Sequence, residues 1–237
     1  MLDATGLLSP NDVAATLQPI LTHVHGLNNP WTNYSYYLNM SFLPCLLALI
    51  IMLTTVTTVC NEFKYNTCGE WLNTAGGSIM VALASKLIPH SVIFTTMGWV
   101  MQLIMFKINF LPFHCNPWHM ILAMPLLVLA CQSFALLMIC VTPNYRKSAT
   151  LCTLFGMMSF SFCGFSLPAE AMYPWINAVG YTVPIRHYFL ISVDQALNGV
   201  DLYYSRMHYA ILIGYLLLPL PLLWRIKHEC QNPVYVP

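Results

Sequence analysis

Charged side chains are scarce in this chain, so each one that falls in an apolar stretch is a candidate for chemistry. The densest group is Glu62, Lys64, Glu70 and Lys86, in the segment CNEFKYNTCGEWLNTAGGSIMVALASKLIP. Carboxylates and ammonium groups at that density serve either as an ordinary interfacial loop or as a docking surface for a cytoplasmic partner. A second group is Glu170, Arg186, His187 and Asp194. In a half-buried setting such groups must be paired or wet, because an isolated charge away from water is costly. Glu170 with Arg186 is the expected pair, and a solvated rim is the alternative. His114 and His119, with Cys115 between them, have a spacing that a metal in an outer loop would tolerate. Flanked by Pro117 and Trp118, they read instead as an interfacial pair. His90, beside Pro89 in an apolar run, is a polar contact between helices or a proton site, with the structural reading favoured near a helix end. Gln132 is expected to make an interhelical hydrogen bond.

Other chemistries find no motif. Most of the nine cysteines, among them Cys45, Cys60, Cys131, Cys140, Cys152 and Cys163, sit in apolar runs as small hydrophobes. There is no CxxC pair, so no metal or redox site is expected. The sequence has no GxxxxGK[ST] loop, no HExxH and no GxSxG, and thus no nucleotide site or catalytic centre of its own.

The elements that must position these residues are membrane helices. The chain is 58% hydrophobic and 7% charged, against about 25% charged for a soluble domain. That makes an all-α integral membrane protein, with length for about five spans at roughly 20 apolar residues each. They are expected at about Met40 to Val59, Leu87 to Phe106, His119 to Val141, Thr150 to Phe165 and Tyr209 to Trp224. The last is short, and Gly214, Pro219 and Pro221 predict an irregular end.

Residues 1 to 37 form a polar segment. Ser9-Pro10-Asn11-Asp12 predicts a capped helix start, and Val13, Leu17, Ile20, Leu21 and Val24 then share one face, with Gly26 as a stop. Trp31, Tyr34, Tyr36 and Tyr37 make an aromatic belt ahead of the first span. No basic leader followed by an apolar core precedes them.

Basic residues set the orientation. Lys64, Lys86, Arg146, Lys147, Arg225 and Lys227 fall on one side and Lys107, Arg186 and Arg206 on the other. The excess predicts an extracytoplasmic N-terminus and a cytoplasmic C-terminus. An odd number of spans without a signal sequence then suggests that a preceding span is missing.

The segment from Phe160 to Gly199 departs from a simple span. Pro168, Pro174 and Pro184 recur at roughly ten-residue intervals in a stretch that stays rich in aromatic and branched residues. Proline breaks helices, while the apolar composition argues against bulk water. The expected solution is a broken, re-entrant helical hairpin on the outer side. On the inner side, a short amphipathic helix beginning near Thr67 is expected, followed by a flexible break at Gly76-Gly77.

These two stretches resemble ATP-binding-cassette type-2 permeases, the multidrug-type exporter membrane subunits. In the loop, the family's acidic residue, Gly-Thr pair, leucine, Thr-Pro pair and Gly-Lys before proline are met by Glu62, Asn66-Thr67, Leu72, Thr74-Ala75, and Lys86 with Pro89. Asn66 and Ala75 depart from the pattern. In the outer stretch, Ser-Gly, Pro, Met-Pro-Trp, Pro with aromatics and a late Gly are met by Cys163-Gly164, Pro168, Met172-Tyr173-Pro174-Trp175, Pro184 with Tyr188-Phe189, and Gly199. Cysteine replaces serine, Tyr173 is inserted, and Asp194 stands where the family often has arginine. The resemblance covers about Leu38 to Lys227.

It implies the membrane subunit of an exporter whose ATP and magnesium are held by a separate cytoplasmic ATPase subunit. A second permease subunit, identical or not, would complete the substrate path. It also implies an ATPase-coupling loop at Glu62, Thr67, Glu70, Trp71, Leu72, Thr74 and Lys86. An outer gate is implied at Gly164, Pro168, Glu170, Met172, Pro174, Trp175, Pro184, Arg186 and Gly199. The family usually has six spans, so residues 1–37 would be the remnant of an extracytoplasmic domain, and 38–237 the transmembrane domain without its first span. Alternatives are a secondary transporter needing no ATPase, which would require internal repeats that are not seen, a membrane-embedded enzyme built on His114, His119 and His187, and an inactive truncated permease.

Overall fold

The structure is a computed structural model that describes residues 34–164 and 172–231. Every regular element among the described residues is helical. In chain order these are α1 Tyr34–Lys64, α2 Cys68–Thr74, α3 Ile79–Leu103, α4 Pro117–Val141, α5 Tyr145–Phe162, α6 Pro174–Tyr181, α7 Pro184–Ile191, α8 Leu202–Leu217 and α9 Leu223–Gln231. One-turn π-helices at Ile104–Ile108 and Ser192–Leu197 extend α3 and α7.

The bundle is organised around α4. Its sequence carries no charge, and residues on all its faces, from Met120 to Cys140, are buried. A helix that is hydrophobic all round belongs inside a bundle rather than on its surface. Helices α1, α3, α5, α7, α8 and α9 all pack against it. Within lipid, packing is driven by close van der Waals fit, so small residues mark the tightest approaches. A side chain on Gly98 would strike Met124, bringing α3 against α4, and one on Gly156 would strike Leu49, bringing α5 against α1. Gln132 accepts from Ser91 Oγ (2.8 Å), the interhelical bond expected of it. His90 turns Nδ1 to the Lys86 carbonyl of its own helix (2.7 Å) and stacks with Phe94 one turn on.

Four stretches are long and apolar enough to cross a membrane: Leu38–Lys64, Ile79–Ile108, Pro117–Val141 and Leu202–Gln231. They contain four of the five expected spans, three extended at both ends and the third, Pro117–Val141, at its start alone. The last is interrupted at a 3₁₀ turn, Leu220–Leu222, between Pro219 and the start of α9, where the sequence predicts irregularity. The remaining expected span, Thr150 to Phe165, is not among the four. Its helix, Tyr145–Phe162, has 18 residues, about 27 Å at 1.5 Å per residue. It opens on Arg146 and Lys147, and Ser148, Thr150, Thr153, Gly156 and Ser159 dilute its hydrophobicity. Phe165, Pro168, Glu170 and the helix expected over residues 10 to 25 lie outside the described residues.

Candidate functional site

Two places gather the sequence-predicted residues, one where α1 ends and one where α6 and α7 meet α5.

At the first, α1 closes in a Schellman motif. The Thr67 N–H reaches the Glu62 carbonyl (3.0 Å) and the Asn66 N–H the Phe63 carbonyl (3.4 Å), with Asn66 left-handed at φ +58°. That geometry demands a residue tolerant of positive φ: glycine first, asparagine next. The departure at Asn66 is thereby explained, since asparagine is the side chain that best substitutes for glycine there. Asn66→Gly is expected to hold the unfolding midpoint in detergent. Asn66→Val, β-branched at positive φ, should lower stability by about 1–2 kcal/mol. Equal midpoints for the two variants would refute the assignment.

The seven-residue helix α2 follows and ends in the same way. The Gly77 N–H reaches the Leu72 carbonyl (2.9 Å) and the Gly76 N–H the Asn73 carbonyl (3.0 Å), both glycines having positive φ. Ala75, where the family pattern has proline, donates its N–H to the Trp71 carbonyl (3.2 Å). A proline would lose that bond.

The Glu62 carboxylate accepts from Lys86 Nζ and from the Thr67 hydroxyl, tying the end of α1 to α3 and to the start of α2. Lys86 also lies 4.9 Å from the centre of the Trp71 ring, a cation–π contact worth about 0.5–2 kcal/mol. Glu62, Thr67, Trp71 and Lys86 are thus one station. Leu72 and Cys68 are buried, and α2 rests on α9 and α3. The surface that α2 presents is Gly69, Glu70, Asn73 and Thr74. Of the expected docking loop, Leu72 therefore faces inward, Glu70 and Thr74 face outward, and Glu62, Thr67, Trp71 and Lys86 are half-buried in the station between.

At the second place, prolines start helices rather than ending them. Pro174 and Pro184 occupy the first turns of α6 and α7, where a missing N–H costs nothing. Arg186 is buried, 1% exposed. Its Nη1 donates to the Phe162 carbonyl at the end of α5 (2.9 Å), and its Nη2 to Asn177 Oδ1 on α6. The guanidinium carbon stands 4.0 Å from the Tyr181 ring centre. A solvated rim is ruled out for Arg186. The expected partner Glu170 lies outside the described residues, and Asn177 is the side-chain partner the structure gives. Gly180 makes room for the guanidinium: a Cβ there would sit 2.4 Å from Nη1 and 2.6 Å from the Phe162 carbonyl oxygen.

Next to it, His187 Nε2 donates to the Tyr181 carbonyl (3.0 Å), so its Nδ1 accepts from His208 Nδ1 (3.2 Å) on α8. Burial, more than the nearby His208 and Arg186, pushes the His187 imidazole below its ordinary range. Tyr188 accepts from Gln102 Nε2 (3.0 Å), linking α7 to α3. Met172 is buried, whereas Tyr173 and Trp175 project outward, so the inserted tyrosine disturbs no packing. Cys163 is buried with its Sγ 4.0 Å from Cys45, an apolar seat that suits a thiol. Gly164 and Gly199 have positive φ, and a Cβ added at Gly199 would come within 3.1 Å of the His114 side chain. Asp194 accepts from Ser205 Oγ (3.4 Å), which brings the π-turn after α7 onto α8.

Sequence reasoning missed Asn177, Gly180, Tyr181, His208 and Gln102. The only signals were a lone amide and a lone glycine inside otherwise apolar runs. The two places share a plan: a short helix pinned by a cation that is itself held by carbonyl, amide or carboxylate oxygens and an aromatic face.

A family model described as ABC-2 family transporter protein matches residues 2–225. No curated protein and no solved structure matches the chain.

Proposed function

Since the chain belongs to the ABC-2 transporter family, we propose that it is a membrane-spanning permease subunit of an exporter driven by ATP hydrolysis on a separate cytoplasmic ATPase subunit. In this reading α5 is a fifth, shorter span, and α6 with α7 is a re-entrant pair forming the outer gate. The N-terminus is extracytoplasmic and the C-terminus cytoplasmic, in the inner membrane of a bacterial cell. Two permease subunits, alike or not, enclose the path of a drug-like or lipid substrate. ATP and magnesium stay on the partner.

The observation that carries the proposal is the seating of α2. It is stapled to α1 and α3 by the Glu62, Lys86 and Trp71 contacts and rests on α9, while Glu70 and Asn73 face outward. A rigid short helix joined to several spans at once is suited to passing a push from a partner into the bundle. Helix α7 is the matching receiver at the other place, tied to α3 through Gln102. Bond for bond, α3 touches both stations.

The test is reconstitution of the purified chain with its ATPase subunit in vesicles, following export of a fluorescent amphiphile. ATP-dependent export, lost when the ATPase is omitted, is expected. Movement that follows an ion gradient with no ATPase present would replace this reading with a secondary transporter.

A further inference from the structure

A groove of about 600 Å³ opens between the end of α3 and the start of α4, its walls formed by Trp99, Leu103, Phe106, Phe113, Met120 and Ile121 and its mouth by Lys107. Positions 99, 102, 103, 106 and 107 follow the three–one spacing that puts side chains on one helical stripe. The stripe is apolar along its length, apart from the Gln102 amide, and ends in a cation. Gln102 is already committed, donating to the Met120 carbonyl (3.1 Å) and to Tyr188. Trp99 Nε1 likewise donates to the Ile121 carbonyl (3.0 Å). The wall is therefore rigid and presents rings and alkyl groups, with Phe106 and Phe113 edge to face at 4.9 Å.

Lys107 is exposed and makes no ion pair or hydrogen bond with another described residue. It lies in the π-turn Ile104–Ile108, an irregularity found often at functional positions. Pro117 sets the N-terminus of α4 at the same mouth, where Asn116 caps the 25-residue helix. The first turn of a long helix adds positive potential to that of the lysine. Aromatic groups flank the mouth, with Trp118 and Phe110 exposed, as at a membrane–water interface.

We infer that this groove is a binding site for a bilayer phospholipid with an acidic headgroup. Its acyl chain lies along Leu103, Phe106, Phe113, Met120 and Ile121, and its phosphate meets Lys107 and the start of α4. The charge selects the occupant: an exposed ammonium with no partner among the described residues, beside a helix N-terminus at the end of an apolar trough, complements an anionic amphiphile. A zwitterionic lipid offers the same chain but cancels its phosphate with its own amine. The inference stands independently of the transport reading.

Native mass spectrometry of the whole chain in detergent tests it, with phosphatidylglycerol and phosphatidylcholine of identical acyl chains added in competition. Wild type should retain the acidic lipid about fivefold better, the factor for one basic residue near a lipid surface. Lys107→Gln should bring that ratio close to one, Lys107→Arg should restore it, and Leu103→Trp, which fills the trough, should lower retention of both lipids. Lys147→Gln, on the exposed first turn of α5, should leave the preference as in wild type. An unchanged preference in Lys107→Gln would overturn the site. So would failure of wild type to retain either lipid, the result expected if a second copy of the chain covers the groove.

Discussion

Glu70→Arg combined with Asn73→Arg should strip the chain of its ATPase subunit while leaving its own fold intact. Both side chains lie on the outward face of α2, with Gly69 and Thr74, and neither takes part through its side chain in the Glu62, Lys86 and Trp71 station. Reversing one charge and adding another at the centre of a short docking helix should cost at least about 2 kcal/mol of binding, the size of an interface hot spot. That is roughly a 30-fold loss of affinity, enough to bring co-purification from detergent to background. The thermal midpoint of the isolated chain should move only slightly. Glu70 lies in the first turn of α2, where reversing an exposed charge costs about 0.3–1 kcal/mol, and Asn73 is an exposed site of small effect. Trp71→Asp and deletion of Asn66 to Leu72 should also lose the partner, for a different reason. The aspartate would set a second carboxylate beside Glu62 and remove the ring that Lys86 covers, so the midpoint should fall as well. Normal co-purification of the Glu70/Asn73 double variant would sink the docking face even if Trp71→Asp behaved as expected.

That contrast between Glu70 and Trp71 marks where the sequence can be read and where it cannot. Hydrophobic length gives helices their position, and so the spans at Leu38–Lys64, Ile79–Ile108 and Pro117–Val141 follow directly from composition. Turn chemistry is local, and the break at Gly76-Gly77 is legible for the same reason, whereas the stop at Asn66 lies beyond the expected end of the span at Val59. The weaker helix Tyr145–Phe162 shows the limit: hydroxyl residues spaced through it suit interhelical packing and lower its apolar signal together. Which face of a seven-residue helix turns inward depends on what it packs against, and periodicity over two turns does not decide that. Least legible is the seat of Arg186. Nothing near it in sequence foretells that Phe162, 24 positions away, offers its carbonyl, or that Gly180 is there to leave a space. The prolines of the same stretch were legible as breaks between short helices, and their position at the helix starts is the refinement. Their missing N–H breaks a helix in its interior but is harmless in a first turn, and Pro174 and Pro184 take that second role.

Gly180→Ala should be the most damaging alanine substitution among the described glycines, since its clash alone reaches a backbone atom at under 3.0 Å. The new Cβ would lie 2.4 Å from Arg186 Nη1 and 2.6 Å from the Phe162 carbonyl oxygen, distances at which something must move. The guanidinium cannot leave freely. It is buried, carries a charge, and is fixed by Phe162, Asn177 and the Tyr181 ring at once. The backbone oxygen belongs to the last turn of α5 and is stiffer still. Overpacking of this kind costs about 1–3 kcal/mol, and more where a backbone atom is struck. Arg186→Lys should be nearly as harmful, because one ammonium cannot replace a planar fork that satisfies two acceptors while stacking on a ring. Leaving one of those buried acceptors unmet costs about 1–3 kcal/mol. The two substitutions share a cause, so they should not add. In an Arg186→Ala background the space next to Gly180 opens on one side, and Gly180→Ala should cost less there than in wild type. The clash with the Phe162 carbonyl persists, so some of the cost should too. Unfolding midpoints of the four proteins in one detergent measure this coupling. If Gly180→Ala costs the same whether or not the arginine is present, the guanidinium is not what fills that space, and the pinning of α6 and α7 to α5 must lie elsewhere.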